Sequence, residues 1–142
     1  GGSIAITNDI TNSTTLFPLL STANSGTLST ANTSNTKLYY TPSTGTLNAT
    51  IFNSLSDAEY KENIIKITNA VNTINQIDGV SFSWKENGLK SYGVIAQDIE
   101  KILPELVSTA EGSKSVNYSG IIAFLINSVK ELDARVKQLE NK

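Results

Sequence analysis

Cysteine and histidine are both missing from the 142 residues of this sequence. Their absence excludes disulfides, thiol nucleophiles, histidine general bases and the usual zinc ligand sets. If the chain has a hydrolytic nucleophile, it is therefore a serine or a threonine, with a lysine or a carboxylate as the base. We predict no metal site and no cofactor.

Charged residues are almost missing from the first 55 positions. Of 24 charged residues in all, only Asp9 and Lys37 come before Ser56. Serine, threonine, asparagine and glycine dominate this part, which has too little apolar surface to offset the entropy of ordering it alone. It is either a flexible linker or a segment that folds with copies of itself, and we favour the second. The change in composition predicts two domains, 1–55 and 56–142.

Strong positive charge and long apolar runs are lacking as well. The net charge is -2 and there is no basic stripe, which argues against a nucleic-acid partner. No apolar run approaches the roughly 20 residues that cross a bilayer, and no signal peptide opens the chain. We therefore predict no membrane insertion.

The first domain contains four short runs of β-branched, aromatic and leucine residues. Polar spacers separate them, and the stretch from Pro42 to Gly45 is typical of a turn between the last two. Because proline has no backbone N–H to donate, Pro18 restricts the second run to an edge strand or a bulge. We predict a β-rich fibre segment whose strands pair across intertwined chains. The four predicted strands cover residues 4–7, 14–20, 38–41 and 47–52.

The second domain opens with helical periodicity. Five apolar residues recur at spacings of three and four, which predicts a helix of about four turns that ends before Gly79. These residues are Ile64, Ile67, Val71, Ile74 and Ile77.

Short strands and one short helix are predicted for the middle of this domain. Val80, Phe82 and Trp84 alternate with serines, which indicates a strand with one buried face. Pro104 stops the short helix that precedes it. The predicted elements are strands at 80–84, 92–95 and 116–118 and a helix at about 97–103. The fold class is therefore α+β, with a small mixed domain after the fibre segment.

The end of the chain has the clearest periodicity. Apolar residues at alternating spacings of three and four occupy the a and d positions of heptads, which predicts a coiled-coil helix over about 120–142. β-branched residues at a with leucine at d favour dimers in isolated parallel coils. The alternative is one amphipathic helix packed on its own domain, and we favour self-association. The predicted oligomerisation residues are Ile122, Leu125, Val129, Leu132, Val136 and Leu139.

Reactive residues are concentrated at the boundary between the two domains. Ser56 followed by Glu59 matches a capping box, the ordinary opening of a helix, and Lys61 is then a simple exposed lysine. The alternative is a Ser–Lys dyad, in which a neutral Lys61 takes the proton of the Ser56 hydroxyl. Five residues along one continuous helix would place the pair about 140° apart, so the dyad requires Ser56 at or before the cap. The dyad could form within one chain or between chains.

The dyad also predicts which bond would break. Attack by Ser56 Oγ on the carbonyl carbon of Leu55 closes a five-membered ring, whereas attack on its own carbonyl needs a four-membered ring. We therefore predict cleavage between Leu55 and Ser56, through an ester that water then opens. Backbone amides at the start of the helix could stabilise the oxyanion.

The second domain resembles, block by block, the intramolecular chaperone auto-processing family, whose members end many phage tail fibres and tailspikes. The opening block is Ser56-Asp57 followed by Lys61-Glu62-Asn63-Ile64. The later blocks lie in order at 80–85, 93–100, 104–107 and 116–118, and the terminal heptads complete the match over 56–142. Residues 39–47 and 52–53 resemble a strand repeat that often precedes this domain.

The resemblance implies a homotrimer, in which the domain registers three chains while the fibre segment ahead of it folds. The domain would then cut itself off with Ser56 and Lys61, as a single-turnover serine endopeptidase. The mature fibre would belong to the virion and meet a host surface receptor, and the chaperone would act in the host cytoplasm during assembly. A homotrimer would differ from the dimer that the residues at the a and d positions favour.

Glu59 departs from this family, which usually has arginine three residues after the serine. A carboxylate there could pair with Lys61 and keep it charged, or it could support the capping box. Two further interpretations remain open. One is a receptor-binding fibre tip whose terminal domain trimerises without cleavage. The other is the chaperone part of a membrane-bound transcription factor, which no basic or transmembrane segment supports.

Overall fold

The computed structural model describes residues 2–142 and divides the chain into two compact units, Gly1–Ser54 and Leu55–Lys142. Both strands and helices are present, so the predicted α+β class is confirmed. The intertwining of chains, the trimer and the coiled coil concern several copies of the chain and stay predictions.

The first unit contains one hairpin, formed by β1 (Leu38–Thr41) and β2 (Thr46–Ala49). The predicted strand at 38–41 is confirmed, and the one at 47–52 begins one residue earlier and ends sooner. Gly45 closes the turn with a φ of 67°, which glycine adopts without steric cost.

The predicted strands at 4–7 and 14–20 are wrong for the single chain. Within the second of them, Leu16 and Leu20 make only isolated bridges, to Tyr40 and Asn32. The run at 4–7 is exposed throughout. Apolar residues in short extended runs form strands only where a neighbouring edge supplies hydrogen-bond partners.

Helix α1 (Ala70–Ile74) is all that forms of the predicted four-turn helix. That prediction is therefore wrong for 64–69 and 75–77. Asn63 and Asn69 have φ angles of 53° and 57°, in the left-handed region that asparagine tolerates better than most side chains. Because residues in that region do not continue a right-handed helix, Asn69 interrupts the predicted helix and Asn63 lies just before its start.

Strands β3 (Val80–Ser83) and β4 (Lys90–Gly93) form an antiparallel hairpin with Val80 opposite Gly93. This confirms the strand predicted at 80–84, whereas the returning strand begins two residues before its predicted start. Helix α2 (Ala96–Ile102) follows and ends before Pro104, close to its predicted bounds.

A second hairpin in this unit is missing from the sequence predictions. It pairs β5 (Val107–Ala110) with β6 (Ser113–Val116), through a turn in which Glu111 and Gly112 both have positive φ. The strand predicted at 116–118 is therefore wrong beyond Val116. Serine, threonine and lysine fill most of both strands, so no alternation of apolar and polar residues marks them.

Helix α3 (Tyr118–Glu140) completes the fold and includes the predicted helical heptads. Its first residue, Tyr118, accepts a hydrogen bond from the N–H of Val94 at 3.2 Å. A Cβ at Gly93 would lie only 2.6 Å from the Tyr118 hydroxyl oxygen. Glycine at this position therefore allows the start of α3 to approach the end of β4.

A carboxylate from α3 caps the short helix α1. Glu131 accepts hydrogen bonds from the N–H groups of Ala70 and Val71, one with each oxygen, at 2.9 and 3.0 Å. Asn69, at the N-cap position of α1, makes no capping bond with its own side chain. The unpaired N–H groups of the first turn are therefore satisfied by a residue about 60 positions away. We call this contact the Glu131 clamp.

A second hydrogen bond supports the clamp on the same face of α3. Asn127, one turn before Glu131, donates from Nδ2 to the carbonyl oxygen of Ile67 at 2.9 Å. Ile121 and Ser128 on this face are buried. Together these contacts attach the irregular segment before α1, and α1 itself, to one side of α3.

Neutralising Glu131 tests the clamp. The N–H groups of Val71 and then Ala70 hold the pKa of Glu131 below its ordinary value of 4.5. Because the folded-state pKa is depressed, this stabilisation is present above the unfolded pKa and is lost as pH falls through the folded-state pKa. We expect Glu131→Gln to lower the Tm by several degrees at neutral pH. We also expect a weaker dependence of Tm on pH in the acid range.

The control for this prediction is Glu140→Gln, which removes a carboxylate from the exposed end of the same helix. Thermal unfolding followed by circular dichroism gives the Tm of each protein across the pH range. Equal losses in both variants at neutral pH would contradict the clamp. So would an acid dependence in Glu131→Gln as steep as that of the parent.

Candidate functional site

One 3₁₀ turn, Ala58–Tyr60, directly follows the predicted cleavage bond. Asp57 caps this turn, because its Oδ1 accepts the N–H of Glu59 at 3.0 Å. The N–H of Lys61 closes the turn, and Lys61 then continues in extended conformation. The chain therefore bends back toward Ser56 within five residues.

The predicted serine and lysine meet within one chain. Lys61 Nζ donates a hydrogen bond to Ser56 Oγ at 2.6 Å. This distance is within the reach that proton transfer between a nucleophile and its base requires. The arrangement differs from the capping box, because Asp57 rather than Ser56 caps the turn.

Glu59 does not engage the lysine in this arrangement. The ion pairs found among residues 2–142 join Lys101 to Asp98, Lys114 to Glu100 and Lys137 to Asp133. The backbone N–H of Glu59 takes part in the capped turn, as described above. The departure from the family at this position therefore leaves the contact between Lys61 and Ser56 intact.

Apolar side chains around the serine and the lysine face solvent. Leu55, Tyr60, Ile64 and Ile65 are between 72% and 103% exposed. Apolar groups at such exposure are typical of surfaces that another protein segment covers. In a single chain, Ser56 and Lys61 are thus in contact but open to water.

The six predicted oligomerisation residues lie on one face of α3. All six are exposed, from 45% for Leu125 to 67% for Leu139. The face that packs within the chain is a different one, which includes Ile121, Ser128 and Glu131. Helix α3 thus has one face bound to its own domain and a second, apolar face without a partner in the single chain.

An open groove of about 750 Å³ lies in the second unit, lined by residues of β3, β4, β6 and the starts of α2 and α3. Its aromatic lining includes Trp84, Tyr92 and Tyr118, all of them exposed. Lys114 also lines it but pairs with Glu100 at 2.9 Å. The groove is an apolar surface. It does not place a lysine against a serine, as the segment from Leu55 to Ile65, here called the junction, does.

Residues 2–142 contain no group of three or more acidic residues that could hold a metal ion. None of the helices in this range combines the length and the apolar character needed to cross a bilayer.

Two contacts of the second unit were not predicted from the sequence. The cap provided by Asp57 was detectable, since aspartate is among the best N-cap residues, but the adjacent Ser56 matches a capping motif as well. The Glu131 clamp was not predictable from neighbouring residues, because the groups that it joins lie about 60 positions apart.

Residues 56–108 match the model of the peptidase family described as chaperone of endosialidase. These residues begin at Ser56 and include Lys61, so the serine and the lysine both fall inside the matched segment. This match, which covers 53 of the 142 residues, confirms the predicted resemblance to a chaperone domain of phage tail fibres.

The chain is also similar to long tail fibre proteins named Gp37. It is 35% identical over 97 residues to those of Enterobacteria phages K3 and T2, with 61% of this chain aligned. It is 33% identical over 104 residues to that of Salmonella phage S16. The aligned part spans only 8%, 7% and 14% of these three relatives, so the chain matches a small portion of each fibre protein.

Proposed function

We propose that residues 56–142 are the C-terminal intramolecular chaperone of a phage tail fibre, which releases itself by cutting between Leu55 and Ser56. The observation that carries this proposal is the 2.6 Å contact between Lys61 Nζ and Ser56 Oγ, beside that bond. The family match over 56–108 and the similarity to long tail fibre proteins support the chaperone role.

The cleavage uses the protein's own groups and one water molecule. Neutral Lys61 takes the proton from Ser56 Oγ, which attacks the carbonyl carbon of Leu55 through a five-membered ring. The C–N bond then breaks as the Ser56 nitrogen receives a proton, and an ester joins the Leu55 carbonyl to Ser56 Oγ. Water hydrolyses the ester, which leaves a carboxylate on Leu55 and a free amine on Ser56.

Association of chains would complete the site. A lysine amine surrounded by water favours its charged form, which has no free electron pair with which to take a proton. Burial under apolar groups favours the neutral form. The exposed side chains of Leu55, Tyr60, Ile64 and Ile65 provide an apolar surface that neighbouring chains would cover. Cleavage would then follow assembly.

The homotrimer rests on the free apolar face of α3. Beside the six heptad residues, Ile126 at an e position is 51% exposed and widens this face in its first half. A stripe that includes e as well as a and d is broader than the narrow seam of a two-stranded coil. The width of the stripe thus supports more than one neighbour per helix, in agreement with the family's trimer.

The same trimer would register the preceding fibre segment. Residues 1–54 form one hairpin and leave several apolar residues exposed in the single chain, which suits strands that pair between chains. Joining three chains at α3 raises the effective concentration of those strands. The mature fibre would lie in the virion and bind a host surface receptor. The chaperone domain would act in the host cytoplasm.

A second candidate function is a fibre tip that trimerises without cleavage. The solvent exposure of the serine and the lysine favours it, because an unshielded lysine is a poor base. Glu59, where the family usually has arginine, also favours it.

The first prediction of this proposal concerns the cut itself. We expect purified protein to give two fragments, one ending at Leu55 and one beginning at Ser56, because the contacting lysine activates the serine. Ser56→Ala and Lys61→Ala should each stay whole, whereas Ser54→Ala and Lys85→Ala should cut like the parent. Intact mass under denaturing conditions distinguishes these outcomes. A parent that stays whole would favour the second candidate function, and Glu59→Arg would be the next variant to make.

The second prediction concerns the ester. Hydroxylamine attacks esters faster than amides, so cleavage in its presence should leave a hydroxamate on Leu55 in place of the carboxylate. Fragment mass spectrometry reads this difference directly. Ser56→Ala, treated in the same way, controls for cleavage by hydroxylamine alone. A free carboxylate on every released fragment would argue for direct attack by water.

The third prediction links association to cleavage. Leu132→Glu places a charge on the apolar face of α3, so the mass in solution should fall to that of one chain and cleavage should slow strongly. Gln138→Glu adds the same charge to an exposed position outside the heptad face and should change neither. Light scattering gives the mass, and denaturing gels give the cut fraction. A monomeric Leu132→Glu variant that cuts at the parent's rate would refute the dependence on assembly.

A further inference from the structure

The residue between the serine and the turn has no assigned role in the reaction described above. The Asp57 side chain hydrogen-bonds to neither Ser56 Oγ nor Lys61 Nζ, and its Oδ1 accepts the N–H of Glu59 at 3.0 Å. Its backbone carbonyl also accepts the N–H of Tyr60 at 3.2 Å. Both contacts belong to the 3₁₀ turn that separates the serine from the lysine.

The path between Ser56 and Lys61 explains why this turn matters. In a fully extended chain, five residues would separate their Cα atoms by roughly 17 Å, beyond the combined reach of the two side chains. On a continuous α-helix, the two side chains would point about 140° apart. The 3₁₀ turn avoids both arrangements. It shortens the distance that the backbone spans between Ser56 and Lys61, and it ends before a continuous helix forms. The 2.6 Å contact is made with this turn in place.

The turn has little else to stabilise it. All residues from Leu55 to Ile65 are exposed, and none of Ala58–Tyr60 is buried. A single 3₁₀ turn has few hydrogen bonds of its own, and each of its first N–H groups needs a partner. The Asp57 carboxylate supplies that partner, since aspartate is among the strongest N-cap residues.

We propose that Asp57 is the positioning residue of the self-cleavage site, and that it holds Lys61 against Ser56 by capping the intervening turn. This inference rests on the proposed function, because it assigns the aspartate a role in the same reaction. The role is geometric, so it needs a hydrogen-bond acceptor at this position and no negative charge. Asparagine, another strong N-cap residue, should therefore replace aspartate, whereas alanine should not.

The test compares cleavage rates of the full chain with Asp57→Ala, Asp57→Asn and the control Glu62→Ala. Glu62 is exposed, two positions beyond the turn, and its replacement removes a carboxylate without touching the cap. We expect Asp57→Ala to cut between roughly 10-fold and 100-fold more slowly, the loss typical of a small misplacement of reacting groups. Asp57→Asn and Glu62→Ala should cut within a few-fold of the parent, with an unchanged pH profile.

Two outcomes would overturn the inference while the proposed function stands. One is an Asp57→Ala variant that cuts like the parent. The other is an Asp57→Asn variant as slow as Asp57→Ala with a shifted pH profile, which would show that the aspartate acts on the lysine through its charge. Solution mass and circular dichroism of each variant identify any loss through misfolding.

An uncut parent would refute the proposed function, and the positioning role then has its own readout. In that case, NMR on the full chain measures the proximity of the Lys61 Cε protons to the Ser56 Cβ protons. The cross-peak should be present in the parent and Asp57→Asn and lost in Asp57→Ala. A cross-peak retained in Asp57→Ala would overturn the role of Asp57 in this case.

Discussion

The second unit depends on one long-range contact, the cap that Glu131 of α3 provides to α1. Helix α1 has five residues, far fewer than the roughly 12–15 at which an isolated helix becomes marginally stable in water. Its N-cap residue, Asn69, lies in the left-handed region and makes no capping bond with its side chain. The helix therefore forms where α3 supplies both an apolar face and a carboxylate. The buried Ala70 and Val71 are the same residues whose N–H groups the carboxylate binds.

This dependence has a consequence for the junction. The segment that leads from Lys61 to α1 is irregular and mostly exposed, and Asn127 and Glu131 hold its far end. Closing a loop of about 60 residues costs conformational entropy, which the contacts recover only once α3 has formed. The attachment of Ile67, Ala70 and Val71 to α3 thus depends on contacts between distant parts of the chain. The local turn at Ala58–Tyr60, by contrast, needs only its own residues and the cap from Asp57.

The difference between local and distant causes also explains what the sequence could predict. Helix α3 and the hairpin of β3 and β4 were predictable, because heptad spacing and strict alternation are properties of neighbouring residues. The sequence predicts the serine and the lysine as a pair, with a Ser56 capping box as the alternative, whereas Asp57 caps the turn between them. Serine and aspartate are both strong N-cap residues, so two adjacent candidates cannot be ranked from the sequence alone.

The failed helix at 64–77 has a distant cause. Its apolar spacing satisfies a helical pattern, yet Asn69 adopts a left-handed conformation that interrupts it. Such conformations cost energy and persist only where surrounding contacts determine them. Next to Asn69, the contacts come from Glu131 of α3, and no residue pattern between 64 and 77 predicts them. The hairpin of β5 and β6 was not predicted for a different reason. Its strands are mostly polar, so no alternation of apolar and polar residues marks them.

Under the proposed function, the exposure of the junction acquires a role in timing. Breaking the bond before Ser56 is irreversible, so a chain that cut itself before assembly would lose the domain that joins it to its partners. In the single chain, Lys61 already contacts Ser56, but the apolar residues beside them are open to water. Under the proposed function, neighbouring chains would cover these residues and complete the site, so the reaction would wait for assembly. The cut then removes the chaperone from a fibre that has already folded, and this product cannot return along its folding path.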